Sequence, residues 1–318
     1  MSRNMKEIKV KNGMGKVLIT GGCGFIGSHL AYRLSELGYQ VIVVDNLVTG
    51  SLDNINPREI NFFECDILGD QFDEIVKFFR PDYIFHLAAQ ANVSESIRNF
   101  LYDAQINILG TLKVIELSRK YNIKKIVFAS SSAVYGQPKY LPIDTSHKAD
   151  PLSPYGVSKY ASEHYLKLAK KLFGIDFTIL RYGNVYGPMQ NTKAEGGVVA
   201  IFSSAISKNV PPIIFGDGEQ TRDFVFVGDI VSANIAALKL GGGQILNVSS
   251  GKPVSINQLF QHIKSISNSQ SEPIYKEERK GDIKHSELCI KETTQILQWA
   301  PSVELKEGLF KTLNFYNK

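Results

Sequence analysis

The segment Thr20-Gly21-Gly22-Cys23-Gly24-Phe25-Ile26-Gly27 decides the fold of this chain. It follows a short apolar run, Lys16 to Thr20, and leads into a stretch whose apolar residues recur at helical spacing. Glycine lets the backbone turn tightly and approach a pyrophosphate, whose charge a helix N-terminus stabilises. A glycine cluster alone can be no more than a tight turn. The predicted cofactor contacts in this loop are Gly21, Gly24, Phe25, Ile26 and Gly27.

A second apolar run, Tyr39 to Val44, settles the interpretation of the glycines. It ends in Asp45 and Asn46. Dinucleotide sites carry an acidic residue about twenty residues after the glycines, and Asp45 lies at about this distance. A carboxylate there accepts hydrogen bonds from a ribose 2′-OH and repels a 2′-phosphate. The sequence therefore predicts NAD, rather than NADP, as the cofactor.

The alternation of strands and helices continues along the chain. It predicts strands at Ile60 to Cys65, Tyr83 to Leu87 and Lys125 to Ala129, with helices at Gln71 to Arg80 and about Tyr102 to Tyr121 between them. This pattern is typical of an α/β fold with a doubly wound parallel Rossmann sheet, which binds its ligand at the carboxyl ends of the strands. Further cofactor contacts are predicted there, at Asp45, Asn46, Asp66, Ile67, Leu87, Ala88 and Ala89.

Two polar segments follow the fifth predicted strand. The first, Ser130-Ser131-Ser132-Ala133-Val134-Tyr135-Gly136, can be an ordinary turn, but its hydroxyls would face the reactive ring of the cofactor. In the second, Tyr155 and Lys159 stand four residues apart at the start of a predicted helix and so share one face. A neighbouring cation favours the ionised form of a tyrosine. By itself, such a pair is more typical of a solvated helix face.

The composition excludes several classes of protein. The net charge is +5, from 36 basic and 31 acidic residues scattered along the chain, which predicts no nucleic-acid partner. The three cysteines lie far apart without metal-ligand spacing, so we expect no bound metal and a reducing, cytoplasmic location. No apolar run approaches the ~18 residues of a membrane span, and Met1 to Gly15 is predicted to be a flexible tail without a signal peptide.

Six ordered motifs together resemble the extended short-chain dehydrogenase/reductase family. They are TGGCGFIG, DNLVTG, HLAAQ, SSSAVYG, YGVSK and RYGNVYGP, and the similarity runs from about Lys16 to the C-terminus. Within that family the chain looks most like the NAD-dependent nucleotide-sugar epimerases and dehydratases, and among these the 4-epimerases of UDP-glucose. The resemblance implies Tyr155 as catalytic acid and base, Lys159 as the residue that holds the nicotinamide ribose, and Ser131 as a catalytic partner for the hydroxyl proton of the substrate.

The implied reaction is 4-epimerisation of a UDP-sugar through a transient 4-keto intermediate. Dehydratases of the family carry an Asp-Glu pair just before the VYG motif, and decarboxylases carry a Glu immediately before it. Here Ser132 and Ala133 occupy these positions, which favours simple epimerisation. The alternatives are another nucleotide-sugar epimerase, dehydratase or reductase of the family and, from a different class, a catalytically silent NAD-sensing protein.

The resemblance also implies a smaller, mixed α/β lobe that binds the nucleotide sugar. In it, Asn184 and the helix opening at Gly196-Gly197-Val198 would meet the diphosphate, although a buried helix start would look the same. Arg222 and Arg279 are the implied phosphate ligands, and each arginine alone could instead belong to a surface ion pair. A small residue at Ser286 would admit an N-acetyl group. The implied substrate contacts are Ser131, Ser132, Tyr155, Asn184, Val198, Arg222, Arg279, Asp282 and Ser286.

The domain boundaries and the partner follow from the same resemblance. Residues 16–182 would form the NAD-binding domain, to which about 215–250 return, and 183–214 with 251–318 would form the nucleotide-sugar lobe, after a tail at 1–15. Ala161, Tyr165, Leu168 and Leu172 form an apolar stripe on the helix of Tyr155. The stripe is either core or a subunit interface, and the family implies a homodimer.

Overall fold

The computed structural model describes residues 13–192, 197–278 and 281–317 and confirms the alternation of strands and helices. The strands are β1 Lys16–Thr20, β2 Gln40–Asp45, β3 Asn61–Glu64, β4 Tyr83–His86, β5 Lys125–Ser131, β6 Asp176–Tyr182, β7 Asn184–Tyr186, β8 Ile213–Phe215, β9 Thr221–Phe226, β10 Gln244–Val248, β11 Pro253–Ser255 and β12 Ile274–Lys276. The helices are α1 Phe25–Glu36, α2 Asp70–Phe79, α3 Val93–Arg98, α4 Phe100–Ala104, α5 Gly110–Tyr121, α6 Pro154–Phe173, α7 Val198–Ser207, α8 Val227–Lys239, α9 Ile256–Ser267, α10 Lys291–Leu297 and α11 Leu305–Tyr316.

Seven strands form the main sheet, in the order β3-β2-β1-β4-β5-β6-β10. β1 pairs in parallel with both β2 and β4, so the chain winds outward from β1 first in one direction and then in the other. This order is that of the predicted doubly wound Rossmann sheet, and it confirms the fold class. The loop after β1 lies where the winding direction changes, which is where such sheets bind ligands.

The chain divides into two compact units. The first runs to Ser130 and includes Ser153–Leu180 and Asn234–Ile245; the second comprises Ser131–Leu152, Arg181–Ala233 and the chain from Leu246 onward. Ser131–Leu152 thus belongs to the second unit, whereas the sequence predicted it within the cofactor domain. The functional division into cofactor and nucleotide-sugar regions stays a prediction.

An apolar core supports the sheet in the first unit. Leu18, Ile42, Ile84 and Ile126, from four neighbouring strands, are fully buried in one cluster with Phe72 of α2. Burying a side chain of this size stabilises the fold by about 1.5–3 kcal/mol. The core therefore fixes the strand ends that carry the polar residues described below.

The second unit contains two small sheets. In the first sheet β9 pairs in parallel with β7 and antiparallel with β11, and in the second β8 pairs in parallel with β12. This combination is the predicted mixed α/β architecture.

The helices in the described part of the chain are too short or too polar to span a membrane.

The region before α5 differs from the single helix predicted over Tyr102 to Tyr121. Two short helices, α3 and α4, start after Asn92 and Asn99, whose side chains accept hydrogen bonds from backbone N–H groups two or three residues into each helix. A π-helical segment, Gln105–Leu109, then joins α4 to α5. Hydrophobic periodicity cannot reveal a π-helical turn, because that turn changes the spacing on which the pattern depends.

The apolar stripe on α6 is largely exposed in the single chain. Tyr165, Leu168 and Leu172 have relative exposures of 41%, 48% and 64%. The core interpretation is therefore wrong for these three residues. Ile97 of α3 and Leu101 of α4, helices that pack against α6, are exposed by 57% and 83% and extend the apolar face.

Candidate active site

The glycine loop is shaped by close contacts of its backbone. Gly21 has φ +71°, and a Cβ there would lie 2.7 Å from the backbone nitrogen of Ala88. A Cβ on Gly27 would lie 2.2 Å from the carbonyl oxygen of Gly21. Gly24 precedes the first turn of α1, which begins with Phe25 and Ile26. Among the described residues, no side chain caps the N–H groups of that turn. This uncapped helix start fits a pyrophosphate.

Asp45, at the end of β2, is buried and oriented by two backbone donors. Its Oδ2 accepts from Cys23 N–H at 2.9 Å and its Oδ1 accepts from Leu47 N–H at 2.8 Å. Burial raises the pKa of this carboxyl, while the two N–H donors lower it. A carboxylate has about four acceptor positions, so each oxygen can still accept a hydroxyl of a ribose.

The other predicted cofactor contacts follow the neighbouring strands. Asn46 donates its amide to Asp66 at 2.9 Å, and Asp66 also accepts from Leu68 N–H at 2.9 Å. Ile67 is buried. After β4, Leu87, Ala88 and Ala89 are half-buried, with Ala88 close to Gly21.

His86, which sequence reasoning did not single out, fixes the position of Ala88. Thr111 donates its hydroxyl proton to Asn107 O at 2.7 Å, so His86 Nε2–H must donate to Thr111 Oγ1, 3.1 Å away. Nδ1 then accepts from Thr20 Oγ1 at 2.8 Å, and Thr20 accepts from Ala88 N–H at 3.2 Å. Burial, with the nearby positive charge of Lys159, lowers the pKa of His86 to about 3. The imidazole is therefore neutral.

Tyr155 and Lys159 lie in the first turns of α6, as predicted. The Ser153 side chain caps the helix by accepting from Gly156 N–H at 3.1 Å, and Pro154 occupies its first position. Lys159 is buried, and its Nζ donates to Ala129 O at 2.9 Å, 4.9 Å from the centre of the Phe128 ring. Burial lowers the pKa of Lys159 to about 8, a change that the charges of Asp103 and Glu163 oppose.

Asn107, in the π-helical segment, holds the start of α6. Its amide donates to Ser158 Oγ and Gln90 O, each at 3.0 Å, and to Asp103 Oδ1 at 3.1 Å. Ser158 in turn donates to Tyr155 O at 3.0 Å. A buried asparagine in a predicted helix was the available signal, but spacing alone could not show that the π-helical segment would aim it at α6.

The second unit contains the hydroxyls predicted to meet the sugar. Ser131 precedes a 3₁₀ turn, Ser132–Tyr135, and accepts from Ala133 N–H at 3.2 Å. This acceptor role leaves its O–H proton to donate. Ser131 and Ser132 are both half-buried.

The structure brings three predicted substrate residues together at the start of β9. Arg222 forms an ion pair with Asp282, with 2.5 Å between Nη2 and Oδ1. Ser286 donates its N–H to the neighbouring Thr221 O at 3.2 Å. A surface ion pair, the alternative that the sequence left for Arg222, is therefore present. Its partner, Asp282, is itself a predicted substrate contact.

The remaining substrate predictions are less constrained. Asn184 is exposed at the start of β7, and Val198 is the half-buried first residue of α7, whose start no side chain caps. Arg279, Gly196 and residues 1–12 of the predicted tail lie outside the described residues. The described residues contain no cluster of His, Cys, Asp or Glu that could hold a metal ion.

Comparison with known proteins gives a consistent picture. Residues 17–249 match the model of the NAD dependent epimerase/dehydratase family. A protein of Methanocaldococcus jannaschii that carries the provisional name UDP-glucose 4-epimerase is 49% identical over 94% of this chain and 97% of its own length.

Two solved structures are also similar. The UDP-glucose 4-epimerase of Thermotoga maritima, solved with UDP-glucose, is 43% identical, with a TM-score of 0.92 over 95% of this chain and 98% of its own. The UDP-N-acetylglucosamine 4-epimerase of Methanobrevibacter ruminantium, solved with UDP-N-acetylmuramic acid, is 37% identical, with a TM-score of 0.91 over the same shares.

Proposed function

Because this chain belongs to the NAD dependent epimerase/dehydratase family, we propose that it is an isomerase that interconverts UDP-sugars epimeric at C4, with NAD as its cofactor. The observation that carries the proposal is the Tyr155–Lys159 pair on the capped start of α6, in the same unit as an uncapped, glycine-lined helix start that fits a dinucleotide. The similarity to UDP-sugar 4-epimerases over 95% of the chain supports the choice of substrate class.

NAD would be held by groups of the first unit. The amides of the first turn of α1 would bind its pyrophosphate, Asp45 the adenosine ribose and Lys159 the nicotinamide ribose. Asn46, Asp66 and Ile67 would line the adenine side, and Leu87 to Ala89 the nicotinamide side. When bound, NAD would supply the acceptor for the hydride of C4, and its reduced form would supply the donor that returns it. Because Asp45 repels a 2′-phosphate, NAD should bind more tightly than NADP, which titration with each nucleotide measures.

Tyr155 would remove the proton of the 4-hydroxyl and return it later. The positive charge of Lys159, one helical turn away, favours the phenolate that this step needs. Ser131, with a hydroxyl proton to donate, would share the proton of the substrate, and Ser132 would contact the sugar. Neither Ser132 nor Ala133 supplies the carboxylate that elimination or decarboxylation needs, so the 4-keto sugar is reduced again rather than converted further.

The second unit would bind the UDP portion. Arg222 and Arg279 would contact the diphosphate, because a guanidinium matches phosphate oxygens with paired donors. Asn184 and the start of α7 at Val198 would add neutral donors, and Asp282 would accept from the uridine ribose. The ribose hydroxyl would then take the place of the Arg222 guanidinium on the Asp282 carboxylate, which leaves Arg222 for the diphosphate.

Ser286 would set the range of sugars. Its small side chain would leave room for an N-acetyl group, as the family resemblance implies, so UDP-N-acetylglucosamine should be accepted as well as UDP-glucose. Replacing Ser286 with Tyr should remove turnover of the N-acetylated substrate while UDP-glucose is still converted. Equal activity of Ser286→Tyr on both sugars, or a wild-type protein inactive on the N-acetylated one, would contradict this assignment.

The test of the proposed function is a panel of UDP- and dTDP-sugars with the C4 epimers resolved by chromatography. We expect UDP-glucose and UDP-galactose to reach the same equilibrium mixture from either side without net NADH formation. Accumulation of a 4-keto-6-deoxy sugar would identify a dehydratase instead. Net consumption of NADH or NADPH would identify a reductase, and NAD binding without conversion of any sugar would leave a binding protein.

The assembly and location are part of the same proposal. The exposed apolar side chains of α3, α4 and α6 fit a two-fold contact with a second copy, which would make a homodimer. Sedimentation should give twice the mass of the chain, and Leu168→Asp should reduce the sedimenting mass to that of the monomer.

The free thiols of Cys23, Cys65 and Cys289 fit a reducing, cytoplasmic compartment.

A further inference from the structure

We propose that Asp223 is a positioning residue: it anchors the segment from Asp282 to Leu288 against β9, and the affinity for the UDP portion of the substrate depends on this anchor. The inference rests on the proposed function, in which Arg222, Asp282 and Ser286 contact the substrate. Asp223 follows Arg222 on β9 and is 1% exposed. The proposed chemistry gives Asp223 no role of its own.

The strand β9 presents Arg222 and Asp223 on opposite faces, because successive side chains of a strand alternate. The ladder with β11 is regular here, with Arg222 opposite Val254 and Asp223 opposite Pro253. On one face the Arg222 side chain is 15% exposed and reaches Asp282. On the other face Asp223 is buried. Asp223 therefore acts through the protein segments that it binds.

The Asp223 carboxylate joins two segments that lie far apart in the sequence. Its Oδ1 accepts from the N–H and the hydroxyl of Ser250, at 3.0 and 2.6 Å, and the N–H of Gly251 lies 3.2 Å from both oxygens. Its Oδ2 also accepts from Leu288 N–H at 3.1 Å. Oδ1 thus holds the turn between β10 and β11, and Oδ2 holds the Asp282–Leu288 segment.

The Asp282–Leu288 segment meets β9 at two points. At the start of the strand, Thr221 donates its N–H to Lys284 O at 2.9 Å and accepts from Ser286 N–H at 3.2 Å. Two residues further along the segment, the next N–H is bound by the side chain of Asp223. The carboxylate therefore continues the pairing that Thr221 begins and keeps the segment beside the strand.

A carboxylate suits this place because it only accepts hydrogen bonds. An asparagine has the same shape but carries an NH₂ group in place of one oxygen. Because Ser250 directs two donors at Oδ1, the amide oxygen of an asparagine would stay on that side. Its NH₂ group would then face Leu288 N–H, which would lose its acceptor. Asp223→Asn therefore releases the Asp282–Leu288 segment selectively.

The substituted protein should still fold, because the segment has a second support. Ile143 donates its N–H to Glu287 O at 2.8 Å and accepts from Cys289 N–H at 2.7 Å. Neither of these bonds involves Asp223. The substitution should thus change the spacing between the segment and β9 while the fold of the unit is kept.

The test is calorimetric titration of the intact protein with UDP and, separately, with NAD. We expect Asp223→Asn to raise the Kd for UDP by about tenfold, because a buried donor loses its acceptor, and to leave the Kd for NAD within about twofold. In turnover, KM for UDP-glucose should rise by a similar factor while kcat stays within about twofold. A general structural defect would lower kcat and NAD affinity as well.

Ser250→Ala is the matched control. It removes a hydrogen bond from the same carboxylate but leaves the bond to Leu288, so the Kd for UDP should stay within about twofold of the wild type. If Asp223→Asn does not fold, as judged by circular dichroism, Asp223→Ser replaces it. The serine side chain is one bond shorter and also leaves Leu288 N–H without its acceptor.

A double-mutant cycle shows whether Asp223 acts through Asp282. Asp282→Ala removes the carboxylate that would accept from the uridine ribose. If Asp223 acts by positioning this carboxylate, adding Asp223→Asn to Asp282→Ala should change the Kd for UDP by no more than about twofold, because two changes at one contact are not additive. A further tenfold loss would show that the two residues act independently.

Three results would overturn the inference alone. They are an unchanged Kd for UDP in Asp223→Asn, an equal loss of affinity in Ser250→Ala, and a full second loss in the double mutant. A wild-type protein that does not bind UDP would instead reject the proposed function, and this inference with it.

Discussion

The two units hold their proposed ligand groups in different ways. In the first unit Asp45, His86 and Lys159 are all buried, and each has hydrogen-bond partners within the unit. In the second unit Asn184 is exposed, and the Asp282 side chain is 36% exposed. This contrast fits a cofactor that stays bound through many turnovers and a substrate that must enter and leave in each one.

The Arg222–Asp282 pair shows how the second unit can exchange partners. The Asp282 side chain is 36% exposed and the Arg222 side chain 15%, so water competes mainly for the carboxylate, and an ion pair open to solvent in this way contributes about 0–1 kcal/mol. Hydrogen bonds from a guanidinium to a phosphate are charge-assisted and can be bidentate. A diphosphate can therefore recruit Arg222 at little cost, whereas the buried contacts of Lys159 could not be exchanged in this way.

The largest expected effect separates chemistry from cofactor binding in the first unit. Tyr155→Phe removes the hydroxyl proposed to transfer the proton and keeps the ring, so kcat should fall by about 10³-fold while the NAD dissociation constant stays within about twofold of the wild type. Steady-state assays and NAD titration measure the two quantities. Activity within tenfold of the wild type would refute the role of Tyr155 as acid and base.

The second effect should be confined to the second unit. Arg222→Ala would remove the proposed charge-assisted contact to the diphosphate and should raise KM for the UDP-sugar by about 10- to 100-fold, with NAD affinity unchanged. Lys252→Ala, which breaks the exposed ion pair of Lys252 with Glu304 in the same unit, is the matched control and should leave KM unchanged. Equal effects of the two substitutions would show that Arg222 is an ordinary surface residue.

The third effect concerns the buried hydrogen-bond relay through His86 in the first unit. Burial lowers the pKa of His86 in the folded protein to about 3, below its ordinary value of 6.5, so the unfolded chain binds more protons between these two pH values. The free energy of unfolding must then fall as the pH drops from 6.5 towards 3, by on the order of a few kcal/mol from this group.

His86→Gln keeps an acceptor for Thr20 and a donor for Thr111 but cannot take up this proton. Its Tm should therefore decline less than that of the wild type between pH 6.5 and 4.5. His164→Gln, which alters an exposed histidine of α6, should follow the wild type. If His86→Gln loses Tm in parallel with the wild type, the imidazole is not held neutral by its surroundings.

Much of the first unit could be predicted because its signals are local. The glycines around Gly24, the carboxylate at the end of β2 and the spacing of Tyr155 and Lys159 each follow from backbone sterics or helix periodicity. The order of the strands then follows from the alternation of strands and helices.

The missed features depend on contacts between distant segments. His86 is significant because Thr20 and Thr111 lie on either side of it. The π-helical turn at Gln105–Leu109 changes the periodicity that sequence analysis uses. In the second unit, the pairing of Arg222 with Asp282 joins residues sixty positions apart, which no local pattern encodes.

The central claim is that the C4–H bond is broken and remade with the same hydrogen while the enzyme needs no external redox partner. The most direct measurement is conversion of UDP-galactose carrying deuterium at C4 into UDP-glucose in ordinary water, followed by mass spectrometry and NMR of the product. The deuterium should remain at C4 of UDP-glucose, with no net formation of NADH. Loss of the deuterium to solvent, or no conversion of the labelled sugar, would contradict it.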